Sequence, residues 1–188
     1  VVGGHLAEDP AEIDLAHERR TEHADAFLAL EVQAVGGQGA EIVDWLVERV
    51  TLGQCALMLG LCEQALWMTA AYSGQREQFG VPIGSFQALK HRAALMFCEL
   101  ELTKSTVLEA LTALDEKRSD VPQLASLAKA KACEMIELVT NEAVQMHGGI
   151  GFTDEHDIGL HLKRAMALSA AYGNEAAHRA RYARLSDA

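Results

Sequence analysis

The sequence contains eight histidines but no HExxH motif or comparable metal-ligand cluster, so no metal centre is expected. Its four cysteines, Cys55, Cys62, Cys98 and Cys133, show no CxxC spacing. Each lies in an apolar helical run, which predicts small buried hydrophobes in a reducing compartment. The start, Val1-Val2-Gly3-Gly4-His5, has neither the basic opening nor the apolar run of a signal peptide. The most apolar stretch, Leu57 to Ala71, is shorter than a membrane span and carries Glu63 and Gln64, so no transmembrane helix is expected. Positive charge is scarce, and the formal net charge is −11. That balance disfavours nucleic acid and acidic membrane surfaces as partners. It still allows an anionic ligand held by a local cluster of Arg, Lys or backbone N–H groups. These absences predict a soluble cytoplasmic protein with no nucleic-acid or membrane partner.

What the chain has in quantity is alanine and leucine. Aromatics make up only 5% of its 188 residues, a balance that favours helix over sheet. The length suits one domain with a sizeable core. Residues 1–39 differ from the rest. Leu28, Leu30, Val32 and Ala34 alternate with Glu31 and Gln33, predicting one or two strands across Ile13–Ala16 and Phe27–Val35. A helix over Asp9–Arg20 competes with that reading. Gly36-Gly37-Gln38-Gly39 is a breaker and sets the expected boundary between residues 1–39 and 40–188.

Beyond it, the periodicity is helical. A first helix is expected from Glu41 to Tyr72, apolar on nearly every side between Leu52 and Cys62, as in a bundle centre or a subunit interface. A second should run from Ser85, as N-cap, to Asp115, with Phe86, Leu89, Ala93, Met96, Leu100, Val107, Leu111 and Leu114 inward. A third opens near Pro122 and stops at Gly148-Gly149. Its inward residues are Leu124, Leu127, Ala128, Ile136, Val139, Ala143 and Met146. A fourth, Glu155–Ala170, with acidic residues in its first turn, and a fifth, Glu175–Leu185, flank Tyr172-Gly173-Asn174. The expected class is all-α: an antiparallel up-down helical bundle with a short strand-like N-terminal remnant.

Two glycine-bearing turns interrupt this pattern, within REQFGVPIGSFQALKHR from Arg76 and AVQMHGGIGFTDEHDIGLHLKRA from Ala143. Either turn alone is ordinary loop punctuation. As a pair in this register they resemble the C-terminal helical domain of the acyl-CoA dehydrogenase family. The resemblance covers Gly36 to the C-terminus, with only the tail of the family's middle β-domain before it. Two explanations fit: a truncated chain, or a reduced subunit completed by a larger partner.

The resemblance implies FAD as cofactor, an acyl-CoA substrate desaturated between its alpha and beta carbons, and an electron-transfer flavoprotein-type acceptor. It also implies a homo- or hetero-oligomer, because the family's flavin lies across a subunit interface. It assigns Arg76 to the flavin pyrophosphate, where a guanidinium fork suits phosphate oxygens. Phe79 is assigned to packing on the cofactor and Gln87 to a polar contact beside it. Gln145, Gly148 and Gly149 are assigned to the loop that the adenosine diphosphate approaches.

The catalytic base is where the match departs. The two positions at which family members hold the glutamate that removes the alpha proton are Tyr172 and Val50 here. A phenol with a pKa near 10 is a poor base for a carbon acid, and a valine is none. Glu48, two residues from Val50, would face away on a regular helix. Glu175 reads as a first-turn carboxylate near a helix dipole. The base is therefore unassigned. Two alternatives stand beside the enzyme reading: the base-poor subunit of a heteromeric dehydrogenase, and a non-catalytic structural bundle. The latter has no need of an arginine, an aromatic and a glutamine in the Arg76–Gln87 register.

Overall fold

The computed structural model describes residues 37–187, so the strand and helix expectations for residues 1–36 lie outside the described residues. Five α-helices follow in order: α1 (Gly37–Gln75), α2 (Gln87–Asp115), α3 (Val121–His147), α4 (Ile158–Ala170) and α5 (Glu175–Ser186). Between α1 and α2 lie a minimal hairpin, β1 (Glu77–Gln78) with β2 (Val81–Pro82), and a 3-10 turn, Ile83–Ser85. A second 3-10 turn, Gly148–Phe152, follows α3. The packing separates Val1–Leu46 from Val47–Ala188, and the bundle is the second unit.

Helix α3 is the central element, with α2, α4 and α5 packed against it. It buries residues on several sides, among them Ala128, Ala132, Met135, Ile136, Val139 and Ala143. The alanines let neighbouring helices come close, and the larger residues fill the gaps between them. Helix α1 adds Leu52, Cys55, Met58, Cys62 and Ala65 to the same core cluster. The result is the expected antiparallel helical bundle, because short links between long amphipathic helices return each helix alongside the last.

Several local expectations are corrected. Gly37 and Gly39 do not break the chain; they form the first turn of α1. Glycine costs about 1 kcal/mol per residue in a helix, and an apolar helix continuing from it offsets that cost. Ser85 does not cap α2. Its hydroxyl donates to the Pro82 carbonyl at 2.7 Å within the 3-10 turn, and Phe86 takes the cap position without a side-chain bond. The inward stripe of α2 keeps Met96, Leu100 and Val107 but moves to Ala110 and Ala113 at its end. There the small residues face α3, and Leu111 and Leu114 pack at the margin. Leu127 of α3 is exposed rather than inward.

Helix α4 begins at Ile158, so Glu155 and Asp157 precede it and its first turn holds no acid. Cys98 is exposed, whereas the other three cysteines are buried. Over Leu52–Cys62 only one face of α1 is buried; Gly53, Ala56, Leu57 and Gly60 form the open face. By length and composition Glu41–Gln75 is long and apolar enough to cross a membrane, contrary to expectation. Its apolarity has a second physical outlet here, since one face supplies the bundle core.

Candidate functional site

The end of α1 and the end of α3 meet around a cleft of about 390 Å³, lined by Tyr72, Arg76, Gln78, Met146, His147, Gly148 and Gly149, among others. Tyr72 and Arg76 stand one turn apart at the α1 terminus, on the same face. The Arg76 carbonyl accepts from Ile83 N–H at 2.8 Å, which ties the hairpin back to the helix end. The guanidinium itself is exposed, and no described carboxylate lies in ion-pair range of it. It is a cation available to a ligand.

Opposite it, α3 ends at Gly148 with φ of 65°, a left-handed conformation that glycine adopts without a Cβ penalty. A Cβ on Gly148 or Gly149 would meet nothing within 4 Å, so the space over this backbone is open. Gly151 is the reverse case. A Cβ there would come 2.8 Å from the Val144 carbonyl oxygen and 3.2 Å from the His147 Cβ. This close approach seats the 3-10 turn on α3.

Tyr72 and His147 line the cleft, and the ring of His156 packs beside His147. Tyr72 stacks on His147 with centroids 4.4 Å apart and an interplanar angle of 24°. His156 lies 4.4 Å from His147 and 6.0 Å, edge-on, from Tyr72. His147 is only 3% exposed, and its Nδ1 bonds the Ala143 carbonyl at 2.7 Å. Burial pushes its pKa down, with neighbouring His156 adding to the shift, and the ring is neutral near pH 7.

Of the residues assigned from sequence, the cleft brings together Arg76, Gly148 and Gly149. The others do not line it. Phe79 sits at the hairpin tip, with φ of 55° and a ring 94% exposed, edge-on to Phe86 at 6.2 Å. With Gly80 at φ of 79°, two successive left-handed residues make the tight turn that a two-residue hairpin requires. Gln87 opens α2 and is exposed, and Gln145 is exposed on α3. Sequence reasoning missed Tyr72, His147 and His156. A signal for the first two existed: Tyr72 is four residues before Arg76, and His147 adjoins Gly148.

The positions tied to the base are also defined. Tyr172 is 56% exposed, with φ of 57°, in the turn between α4 and α5. Its carbonyl is held by His178 Nε2 at 2.8 Å. Val50 is half-buried on α1. Glu48 pairs with Arg181 at 3.3 Å, and Arg181 also donates to Ser126 Oγ at 2.9 Å. Glu175 pairs with Arg179 at 2.7 Å. Each carboxylate near a base position is thus engaged by an arginine. Among the described residues no group of three or more metal-ligating side chains converges.

Residues 37–186 match the family model for the acyl-CoA dehydrogenase C-terminal domain. The chain belongs to the acyl-CoA dehydrogenase family. The acyl-CoA dehydrogenase IpdE2 of Mycolicibacterium smegmatis is 42% identical over 120 residues, which is 64% of this chain and 37% of that protein. The caffeyl-CoA reductase-Etf complex subunit CarC of Acetobacterium woodii is 35% identical over 107 residues, 57% of this chain and 28% of that one. Among solved structures, butyryl-CoA dehydrogenase of Megasphaera elsdenii superposes with a TM-score of 0.77 at 28% identity. That match covers 81% of this chain and 39% of the enzyme. The sequence thus spans roughly two fifths or less of the length of each of these relatives.

Proposed function

We propose that this chain supplies the helical, FAD-contacting and oligomer-forming part of an acyl-CoA dehydrogenase, a flavoprotein that desaturates an acyl-CoA thioester between its alpha and beta carbons. The observation that carries this reading is the facing of Arg76 and the Gly148-Gly149 backbone across one cleft. An unpaired guanidinium opposite open glycine backbone fits an anionic pyrophosphate, since a charge-assisted fork and close backbone approach are what phosphate oxygens require. FAD, when bound, supplies the hydride acceptor. Arg76 would hold its phosphate oxygens, and Gly148 and Gly149 would let it lie against the chain. Phe79, Gln87 and Gln145 stay cofactor contacts on the resemblance alone. An electron-transfer flavoprotein-type acceptor is proposed in keeping with the Etf-complex relative.

A second reading has its own support: this chain is the base-poor subunit of a heteromeric dehydrogenase. Tyr172 and Val50 occupy the base positions, and Glu48 and Glu175 are committed to arginines. Purification from the native source, with the mass of every co-purifying chain and extraction of flavin, tests both readings. A yellow assembly is expected, and a second, related chain would favour the heteromer. A colourless preparation that takes up no added FAD would leave only a structural bundle.

A further inference from the structure

The turn between α4 and α5 holds a strain that nothing in this chain offsets. Tyr172 has φ of 57° and Gly173 φ of 94°, two successive residues in the left-handed region. Glycine adopts that conformation freely, whereas the Cβ of a tyrosine makes it unfavourable. Glycine or asparagine at position 172 would form the same turn at lower cost. The tyrosine gains little from its own chain in return. It is 56% exposed. Among the described residues its hydroxyl has no hydrogen-bond partner and its ring meets no other ring.

The strained turn is nevertheless firmly held. His178 of α5 is 6% exposed, and its Nε2 lies 2.8 Å from the Tyr172 carbonyl oxygen. A carbonyl oxygen only accepts, so Nε2 carries the ring proton and donates. Gly173 packs on the same ring: a Cβ there would come 3.0 Å from Nε2 and 3.2 Å from Cδ2. Asn174 closes the turn, its Oδ1 accepting from Ala177 N–H at 3.0 Å as the cap of α5. Burial pushes the His178 pKa down, and the Lys129 and Arg181 charges act in the same direction, so the ring is neutral near pH 7. A buried side chain thus fixes an unfavourable backbone beneath a tyrosine that binds nothing in its own chain. Strain held by its surroundings in this way clusters at ligand-contacting positions.

We propose that the Tyr172 hydroxyl is a hydrogen-bond donor to the thioester carbonyl of the acyl-CoA, and that His178 is the residue that positions it. This rests on the acyl-CoA dehydrogenase reading, in which Tyr172 takes one of the two base positions. A phenol is a poor base for a carbon acid but a good hydrogen-bond donor. The acceptor adjoining the alpha carbon is the thioester carbonyl oxygen, which gains negative charge as the alpha proton leaves. A donor fixed there beforehand stabilises that charge more than it stabilises the bound substrate. Tyr172 keeps its own proton, and no bond to it forms or breaks. The alpha proton goes to a carboxylate contributed by the rest of the assembly.

The test uses the complete FAD-loaded assembly, with butyryl-CoA and longer saturated acyl-CoA thioesters as substrates. Tyr172→Phe keeps the ring at an exposed position and should fold as the parent does. Its kcat should fall about a hundredfold while KM changes less than about threefold, as for a contact made in the transition state. His178→Leu removes the donor behind the turn and should lower kcat about tenfold. His178→Gln places an N–H where Nε2 stood and should restore kcat to within about threefold of the parent. The double variant, Tyr172→Phe with His178→Leu, should be no slower than Tyr172→Phe alone, because His178 acts through the hydroxyl. Additive losses would mean that His178 is merely structural and would overturn its positioning role. A Tyr172→Phe variant with parental kcat would overturn the contact, and an altered assembly mass in that variant would assign the residue to a subunit interface instead. A second readout does not need turnover: nitration by tetranitromethane, mapped by mass spectrometry. Bound acyl-CoA should protect Tyr172 and leave Tyr182, 38% exposed on α5, reacting as before. Equal nitration of Tyr172 with and without acyl-CoA would also overturn the contact. A flavin-loaded parent that neither binds nor turns over any of these thioesters would instead sink the acyl-CoA reading, and this proposal with it.

Discussion

The Leu168 carbonyl oxygen, near the end of α4, accepts from Lys129 Nζ at 2.7 Å and from Gln54 Nε2 at 2.8 Å. Lys129 is fully buried on α3, and Gln54 reaches in from α1. Cys133 adds a thiol contact to the Ser169 carbonyl at 3.7 Å. Side chains from two helices thus cap the helix end that leads into the Tyr172 turn, and a cation at a helix C-terminus complements its dipole. Burial pushes the Lys129 pKa down.

From this geometry, Lys129→Ala should lower unfolding stability by about 3 kcal/mol, through a cavity and a weakened cap. Lys129→Met should cost less than about 1 kcal/mol, because it fills the space and removes the desolvated charge. The parent should also gain stability relative to the Met variant as pH rises towards 10. A lysine with a depressed folded pKa binds more protons when unfolded, so its penalty is relieved as pH climbs towards the unfolded value. Urea unfolding at pH 7 and pH 10 measures both effects.

Arg76→Ala should leave helicity unchanged, since the residue is exposed and follows the end of α1. Flavin retention should weaken by about 1.5–3 kcal/mol, the usual worth of a hydrogen bond to a charged group. Circular dichroism and flavin extraction on the same samples are the check. Equal occupancy in variant and parent removes Arg76 from the site.

Gly151→Ala and Gly149→Ala should separate packing from ligand approach. The first forces a Cβ to within 2.8 Å of a backbone oxygen, which should cost about 1–3 kcal/mol of stability. The second has free space and should fold normally while binding FAD less well. Thermal unfolding beside flavin titration would show whether the two variants diverge.

Glu48→Gln and Glu175→Gln should each leave turnover of the complete assembly within tenfold of the parent. Glu48→Gln should cost about 1 kcal/mol of stability, since it breaks the partly exposed pair with Arg181. A general base contributes typically 10²- to 10⁴-fold. A hundredfold loss at constant flavin content would therefore put the base on this chain.

Trp67 is 63% exposed on α1, and Leu57 is exposed on the same helix beside Gly60. Burying such side chains is worth about 1.5–3 kcal/mol each, so the protein should self-associate or pair with a partner through α1. Sedimentation should give an oligomer for the parent and a smaller species for Trp67→Glu. A parent that is monomeric at micromolar concentration would count against this.

The amino-acid sequence by itself determined the helices and the family. Apolar spacing of three to four residues marks α2, α3 and α5 to within about two residues, because a helix core face is written locally. The stop at Gly148 was equally legible, since a left-handed residue at a helix end calls for glycine. Which side of each helix is inward at its margins was not, as Leu111, Leu127 and Cys98 show. Apolar character permits burial, but only a neighbouring helix provides it. Only the tertiary structure decided that Arg76 and Gly148, 72 positions apart, share a cleft, and that Glu48 is held by Arg181. It also decided that Tyr72 stacks on His147 beside His156, because rings on separate elements meet only where folding brings those elements together.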